Sequence, residues 1–188
     1  MKNNIVRLGG ILCIISAVAA GVLALANDFT KDKIAEAEAK AAMDPAVLEA
    51  VMPGSVMFEV YDAALTETIK SENAKFVELY KAVDGSGNEL GYVVRTLSTV
   101  AGYGGDMELF VGFTSDAKIS GMNVIAHSET SGLGSRTTEP EFQKQFLGAD
   151  ASAEITSFDA IAGVTKSSNS FASALNNAIK VFNQYVNK

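Results

Sequence analysis

From Leu8 to Ala26 the chain reads LGGILCIISAVAAGVLALA, without a charged residue. At about 1.5 Å per helical residue these ~19 residues reach ~28 Å, close to the hydrocarbon thickness of a bilayer. The block predicts a transmembrane helix. The pattern then changes to DFTKDKIAEAEAKAAM, rich in the helix formers Ala, Glu and Lys. Glu36 and Lys40 stand four apart in the favourable order, which predicts a helical stalk. Asp44-Pro45 opens a short helix, because proline suits a first helical turn, and Pro53-Gly54 ends it. From Ser55 onward the apolar runs become short and rich in β-type residues. Strands are predicted over Val56–Tyr61, Lys75–Val83, Glu89–Leu97, Met107–Thr114 and Ile119–Ala126. Turns at 84–88 and 114–117 separate several of them. Segments 88–96 and 107–114 read as antiparallel neighbours. Glu139–Phe146 reads as a short helix opened near Thr138 and Pro140. The last helix begins near Ser167 or Ser168 and runs almost to the end. Phe171, Leu175, Ala178, Ile179 and Phe182 recur on one face, with Asn176, Asn177, Lys180 and Asn183 largely on another.

These elements predict an α+β fold: an antiparallel sheet with packed helices, preceded by one N-terminal transmembrane helix. The expected segments are a cytoplasmic tip and anchor over 1–27, a helical stalk or linker over 28–54, and an extracytoplasmic domain over 55–188. Lys2 and Arg7 precede the apolar block, so the positive-inside bias places the N-terminus in the cytoplasm and the domain outside. Ala24-Leu25-Ala26 also resembles a small-x-small cleavage site, so a cleaved signal peptide is the alternative to an uncleaved anchor. Either way the domain is sent across the membrane.

Composition narrows the chemistry. The 188 residues are 48% hydrophobic and 20% charged, enough for a packed core. A net charge of −7 argues against nucleic acid, whose phosphates require a basic face. A single cysteine, Cys13 in the apolar block, excludes a disulfide framework or a cysteine metal site, and the single histidine, His127, excludes a histidine-rich one. No metal site and no catalytic residue is expected in this chain.

Three stretches carry more glycine or small residues than structure alone requires. They are Gly102-Tyr103-Gly104-Gly105, then His127-Ser128-Glu129-Thr130-Ser131-Gly132-Leu133-Gly134, then Asp159-Ala160-Ile161-Ala162-Gly163-Val164-Thr165-Lys166-Ser167. Glycine permits positive φ and a close approach of backbone to a ligand. Taken singly, the first two also read as ordinary turns, and His127 beside Glu129 as a structural hydrogen-bonding pair. The third stretch opens the last helix, whose N-terminal amides and dipole favour an anion, and Lys166 adds positive charge. A phosphate suits this place, although GxxxxGK[ST] is absent. A plain capping role for Thr165 is the alternative.

Together, in this order, the three stretches resemble the FMN-binding domain family, in particular the G subunits of Rnf electron-transport complexes and their relatives, the C subunits of sodium-pumping NADH:quinone reductases. The family's attachment pattern, Asp-x-x-(Ser/Ala)-Gly-Ala-Thr-x-(Ser/Thr), matches 159–167, and His-x-Glu-Thr-Pro-Gly-Leu-Gly matches 127–134. Gly102-Tyr103-Gly104-Gly105, before Leu109-Phe110-Val111-Gly112, matches a third pattern. The resemblance spans about Gly91 to Lys188. Val164 stands where the family has Ala, Ala162 where Ser is commoner, and Ser131 where it has Pro.

The resemblance implies that FMN is bound covalently, its phosphate esterified to Thr165. A separate flavin transferase with magnesium performs the attachment, taking FAD and releasing AMP. It implies a site built from Thr165, Gly163, Val164, Lys166 and Ser167, with Asp159 as a recognition residue for the transferase. His127, Glu129, Thr130, Gly132, Leu133 and Gly134 shape the flavin pocket, and Tyr103 borders the ring. It implies a membrane-anchored electron carrier within an Rnf-type translocase that moves electrons between ferredoxin and NAD, coupled to Na⁺ or H⁺ movement. The chain has no cysteine cluster and no Rossmann fingerprint, so iron-sulfur and other membrane subunits are the expected partners. The alternatives are a free-standing covalent flavodomain serving another membrane reductase, and a flavin-free anchored binding module.

Overall fold

The computed structural model describes residues 2–187, with only the backbone course described at 2–5, 32 and 34–42. The side chains of the expected Glu36–Lys40 pair lie outside the described residues. The chain divides into two compact units, Met1–Lys40 and Ala41–Lys188.

The described residues of the first unit belong to helix α1, Lys2–Ala42. Its stretch Val6–Lys31 is long and apolar enough to cross a membrane, and none of its most apolar window is buried within the protein. Side chains such as Leu12, Ile14, Val18 and Leu23 are exposed, which suits a hydrocarbon surrounding.

The second unit holds five antiparallel strands in the order β1-β2-β3-β4-β5. They are β1 Met57–Val60, β2 Phe76–Val83, β3 Glu89–Leu97, β4 Glu108–Thr114 and β5 Ile119–Ala126, close to the expected limits. β3 and β4 pair as expected, with Val94 opposite Val111. The β2–β3 hairpin is pinned by Asp84, whose carboxylate accepts from the amides of Ser86 at 2.7 Å and Asn88 at 2.9 Å.

Both faces of this sheet are covered, so β4 is buried along almost its whole length and lacks simple alternation. Leu109, Val111 and Phe113 enter one core with α5, Thr165–Tyr185, which contributes Phe171, Leu175, Ala178, Ile179 and Phe182. Phe113 and Phe182 stack with centroids 4.5 Å apart. Phe110 points to the other face, into a smaller core with Phe58, Tyr80 and Val93. That core is closed by Leu48, Val51 and Met52 from α2, Pro45–Val51, and its C-cap. Segment 45–54, expected as part of a stalk, therefore packs on the sheet. The sheet admits it because Gly112 and Gly121 face each other across β4 and β5. A Cβ at Gly121 would lie 2.1 Å from the Ala50 carbonyl oxygen.

Three further departures concern helices. Sequence pattern does not predict α3, Ala63–Glu72, which is capped by Asp62 and buries little beyond Thr66 and Ile69. The expected 139–146 helix divides into α4, Pro140–Gln143, and a 3₁₀ turn, Lys144–Phe146. Asn177 does not face solvent: it is buried, accepts from Asn73 at 2.7 Å and donates to Thr96 at 2.5 Å, joining α5 to the sheet.

Candidate functional site

α5 begins at Thr165, two or three residues before the expected start, and this changes the geometry of the third glycine-bearing stretch. The Val164 amide donates to the Ile161 carbonyl at 3.0 Å, closing a turn. Gly163, third in that turn, has φ +80, a conformation that a residue with a side chain rarely adopts. Ser168 fastens the turn to the helix: its hydroxyl accepts from the Ile161 amide at 3.1 Å and donates to the Val164 carbonyl at 3.2 Å. Val164 is buried and occupies the N-cap position, where its side chain makes no capping hydrogen bond. Thr165 and Lys166 follow, both exposed. The first amides of a 21-residue helix are thus left without a side-chain cap, and its positive end is available to an anion.

The other two stretches meet this helix through one carboxylate. Glu129 is only 9% exposed. Its Oε2 accepts from the Ser167 hydroxyl at 2.8 Å, and its Oε1 accepts from the Gly104 amide at 3.1 Å. All three stretches are therefore tied at Glu129. The glycines permit this contact. A Cβ at Gly134 would lie 2.1 Å from Glu129 Oε2, and one at Gly102 would lie 2.0 Å from Oε1. Upstream, His127 Nδ1 accepts from the Glu129 amide at 3.2 Å, which fixes Nδ1 as the unprotonated nitrogen. His127 thus orients the loop and does not line the cleft.

A cleft of about 280 Å³ opens where the stretches converge, lined by Tyr103, Glu129, Thr130, Leu133, Gly134, Gly163 and Val164. Tyr103 and Leu133 stand exposed at 70% and 56%, with Tyr103 turned under the Lys166 ammonium, 5.0 Å from the ring centroid. Gly132, with φ +73, shapes the turn in which the Thr130 carbonyl accepts from the Leu133 amide at 3.1 Å. Of the other expected site residues, His127, Gly132, Thr165, Lys166 and Ser167 adjoin this lining in sequence without joining it, and Asp159 lies apart. It lies in a neighbouring groove of about 300 Å³ with Arg136, Lys144 and Gln145. There the Gln145 amide group grips its backbone, accepting from Asp159 N–H at 2.7 Å and donating to its carbonyl at 3.3 Å. Sequence pattern assigns no role to Ser168 and no particular partner to Gly102 or Gly104. The two glycines are visible as a cluster, whereas nothing local marks Ser168, whose partners come from the preceding turn.

The FMN-binding domain family matches residues 102–180, and the RnfG N-terminal region matches residues 1–44. The first match contains every residue of the cleft. The G subunit of the ion-translocating oxidoreductase complex of Methanosarcina acetivorans is 36% identical over 174 residues, covering 89% of each chain. The chain belongs to the RnfG family, the G subunits of ion-translocating oxidoreductase complexes. Another member is the G subunit of the Na⁺-translocating ferredoxin:NAD⁺ oxidoreductase complex of Acetobacterium woodii, 33% identical over 94% of this chain and 90% of the relative. Among solved structures, NqrC of Shewanella oneidensis covers 58% of each chain at 22% identity, with a TM-score of 0.49. For the RnfG family the N-terminal match is informative, because it takes in the candidate membrane span that the FMN-binding domain match omits.

Proposed function

We propose that this chain is the membrane-anchored, flavin-carrying electron-transfer component of an Rnf-type complex, with FMN joined through its phosphate to Thr165. The observation that carries the reading is the exposed Thr165 at the uncapped start of α5, beside a cleft to which all three glycine-bearing loops contribute. The residues fit the group. The free amides of the first helical turn and Lys166 suit a phosphodiester, which keeps one negative charge. Tyr103, Leu133 and Val164 offer apolar surface to a flat ring, while Glu129, Thr130, Gly134 and Gly163 complete the wall. Gly132 shapes the turn behind Leu133, His127 holds the Glu129 backbone, and Ser167 holds its carboxylate. When bound, the flavin supplies reversible electron transfer.

Attachment substitutes at phosphorus. The Thr165 oxygen bonds to the FMN phosphorus of FAD, the pyrophosphate P–O bond breaks, AMP leaves and the hydroxyl proton passes to base. A separate flavin transferase with magnesium performs the step, and the outward Asp159 groove is a surface that it can read. A covalent tether suits a domain outside the cell, where a dissociable flavin would be lost. Lys2 and Arg7 before the apolar block favour a cytoplasmic N-terminus, with the flavin domain extracytoplasmic. The block from Leu8 to Ala26 carries no charge, so ion passage belongs to other membrane subunits. Ferredoxin and NAD belong to partners bearing iron-sulfur centres and a nucleotide site. The decisive test is to produce the chain with a flavin transferase and weigh the peptide containing Thr165. The expected gain is the mass of FMN minus one water, absent in Thr165→Val. An unmodified wild-type peptide, with the transferase active on another substrate, overturns the assignment.

A further inference from the structure

We infer that Glu129 is a built-in negative charge that lowers the reduction potential of the flavin held in the cleft. The inference rests on the proposed function above and concerns what the buried carboxylate does there beyond joining loops.

Three features of the structure lead to it. First, Glu129 is only 9% exposed yet lines the cleft. Second, both of its oxygens accept hydrogen bonds, one from an amide and one from a hydroxyl. Two donors aimed at its two oxygens favour the carboxylate, which has acceptor capacity only. Third, among the described residues it has no salt-bridge partner, although seven other carboxylates do. Lys166, the cation nearest in sequence to Ser167, lies over the Tyr103 ring. His127 presents an unprotonated nitrogen to the Glu129 amide. The charge is therefore held by neutral dipoles, which stabilise it without cancelling its field. Around a group this far withdrawn from water such a field is screened less than at the open surface. An electron entering the cleft then meets fixed negative charge, and reduction is disfavoured. The same carboxylate orders the loops, so the residue sets geometry and potential together.

The test uses the full-length protein, produced with a flavin transferase and held in detergent, with spectroelectrochemical titration of the flavin. Peptide mass confirms attachment at Thr165 in each sample. Glu129→Gln keeps the shape and can still accept a hydrogen bond from Gly104 and donate one to Ser167, but carries no charge. The expected result is a more positive midpoint potential. Ser167→Ala removes one hydrogen bond and keeps the charge, so its potential stays at or below that of the wild type. An unchanged potential in Glu129→Gln overturns the inference. So does an equal positive shift in both variants, which would mean that loosening of the loops, and not charge, moves the potential. Loss of attachment in Glu129→Gln alone would make the residue purely structural and also overturn it. Wild-type protein without flavin on Thr165 removes the proposed function, and this inference with it.

Discussion

Substitution of Gly134 by alanine tests the junction of the three loops directly. The added Cβ would sit 2.1 Å from Glu129 Oε2, 2.7 Å from Ser167 Oγ and 2.9 Å from Glu129 Cβ. The carboxylate cannot simply swing aside, because Oε1 is engaged by Gly104 and the Gly102 backbone lies against it. Overpacking of this kind costs about 1–3 kcal/mol, and a hydrogen bond to a charged group contributes about 1.5–3 kcal/mol. The two effects share the same atoms and do not add fully, so the net cost is about 2–4 kcal/mol. For a domain of this size that corresponds to a fall of about 6–12 °C in Tm. The neighbouring Gly132→Ala is the control. Its φ is +73, but nothing lies within 4 Å of the new Cβ, so only left-handed strain of about 1–2 kcal/mol applies. Thermal denaturation of the full-length protein, with flavin attachment measured in parallel, separates the two. Gly134→Ala should melt lower than Gly132→Ala and attach flavin more slowly. A Gly134→Ala protein that melts with the wild type would refute the idea that Glu129 is locked between the loops.

Two other outcomes follow from the fold. A fragment beginning at residue 41 should be soluble and unfold cooperatively, whereas one beginning at 55 should aggregate. The shorter fragment loses the buried Leu48, Val51 and Met52, at about 1.5–3 kcal/mol each, a sum comparable with total domain stability; equal behaviour of both in sedimentation and melting would mean that α2 is dispensable. On the alkaline side, the hydrogen bond to the Glu89 carboxylate, and after it the ring's own partial burial, pushes the Tyr92 hydroxyl up to about 12 from the ordinary 10.0. The folded state then holds this proton more tightly than the unfolded state, so the contribution is whole below about pH 10 and is lost as pH rises towards 12. Tyr92→Phe should flatten that fall in urea-unfolding stability, and an unchanged slope would assign it to other groups.

The second unit is largely legible in the chain because its strands are short, apolar and bounded by turn residues such as Asp84 and Gly87. α5 is legible because Phe171, Leu175, Ile179 and Phe182 keep a helical period. α3 is not, since it buries little and offers no stripe. α2 reads as stalk because its burial depends on Gly112 and Gly121, far along the chain, leaving room for its backbone. The burial of Asn177 is not legible from its place off the apolar face, because its partners, Asn73 and Thr96, lie 104 and 81 positions away in sequence.

The candidate site divides in the same way. The apolar span, the sheet-forming pattern and the three glycine-bearing stretches are local properties of neighbouring residues, so the order of residues along the chain is enough to reveal them. That the stretches converge on Glu129 emerges only when the chain is folded. So does the place of Thr165 in the first turn of α5, and the separate groove that Asp159 faces. Those outcomes depend on which loops the packed sheet and helix bring within hydrogen-bond reach, and on where an absent Cβ lets a carboxylate pass.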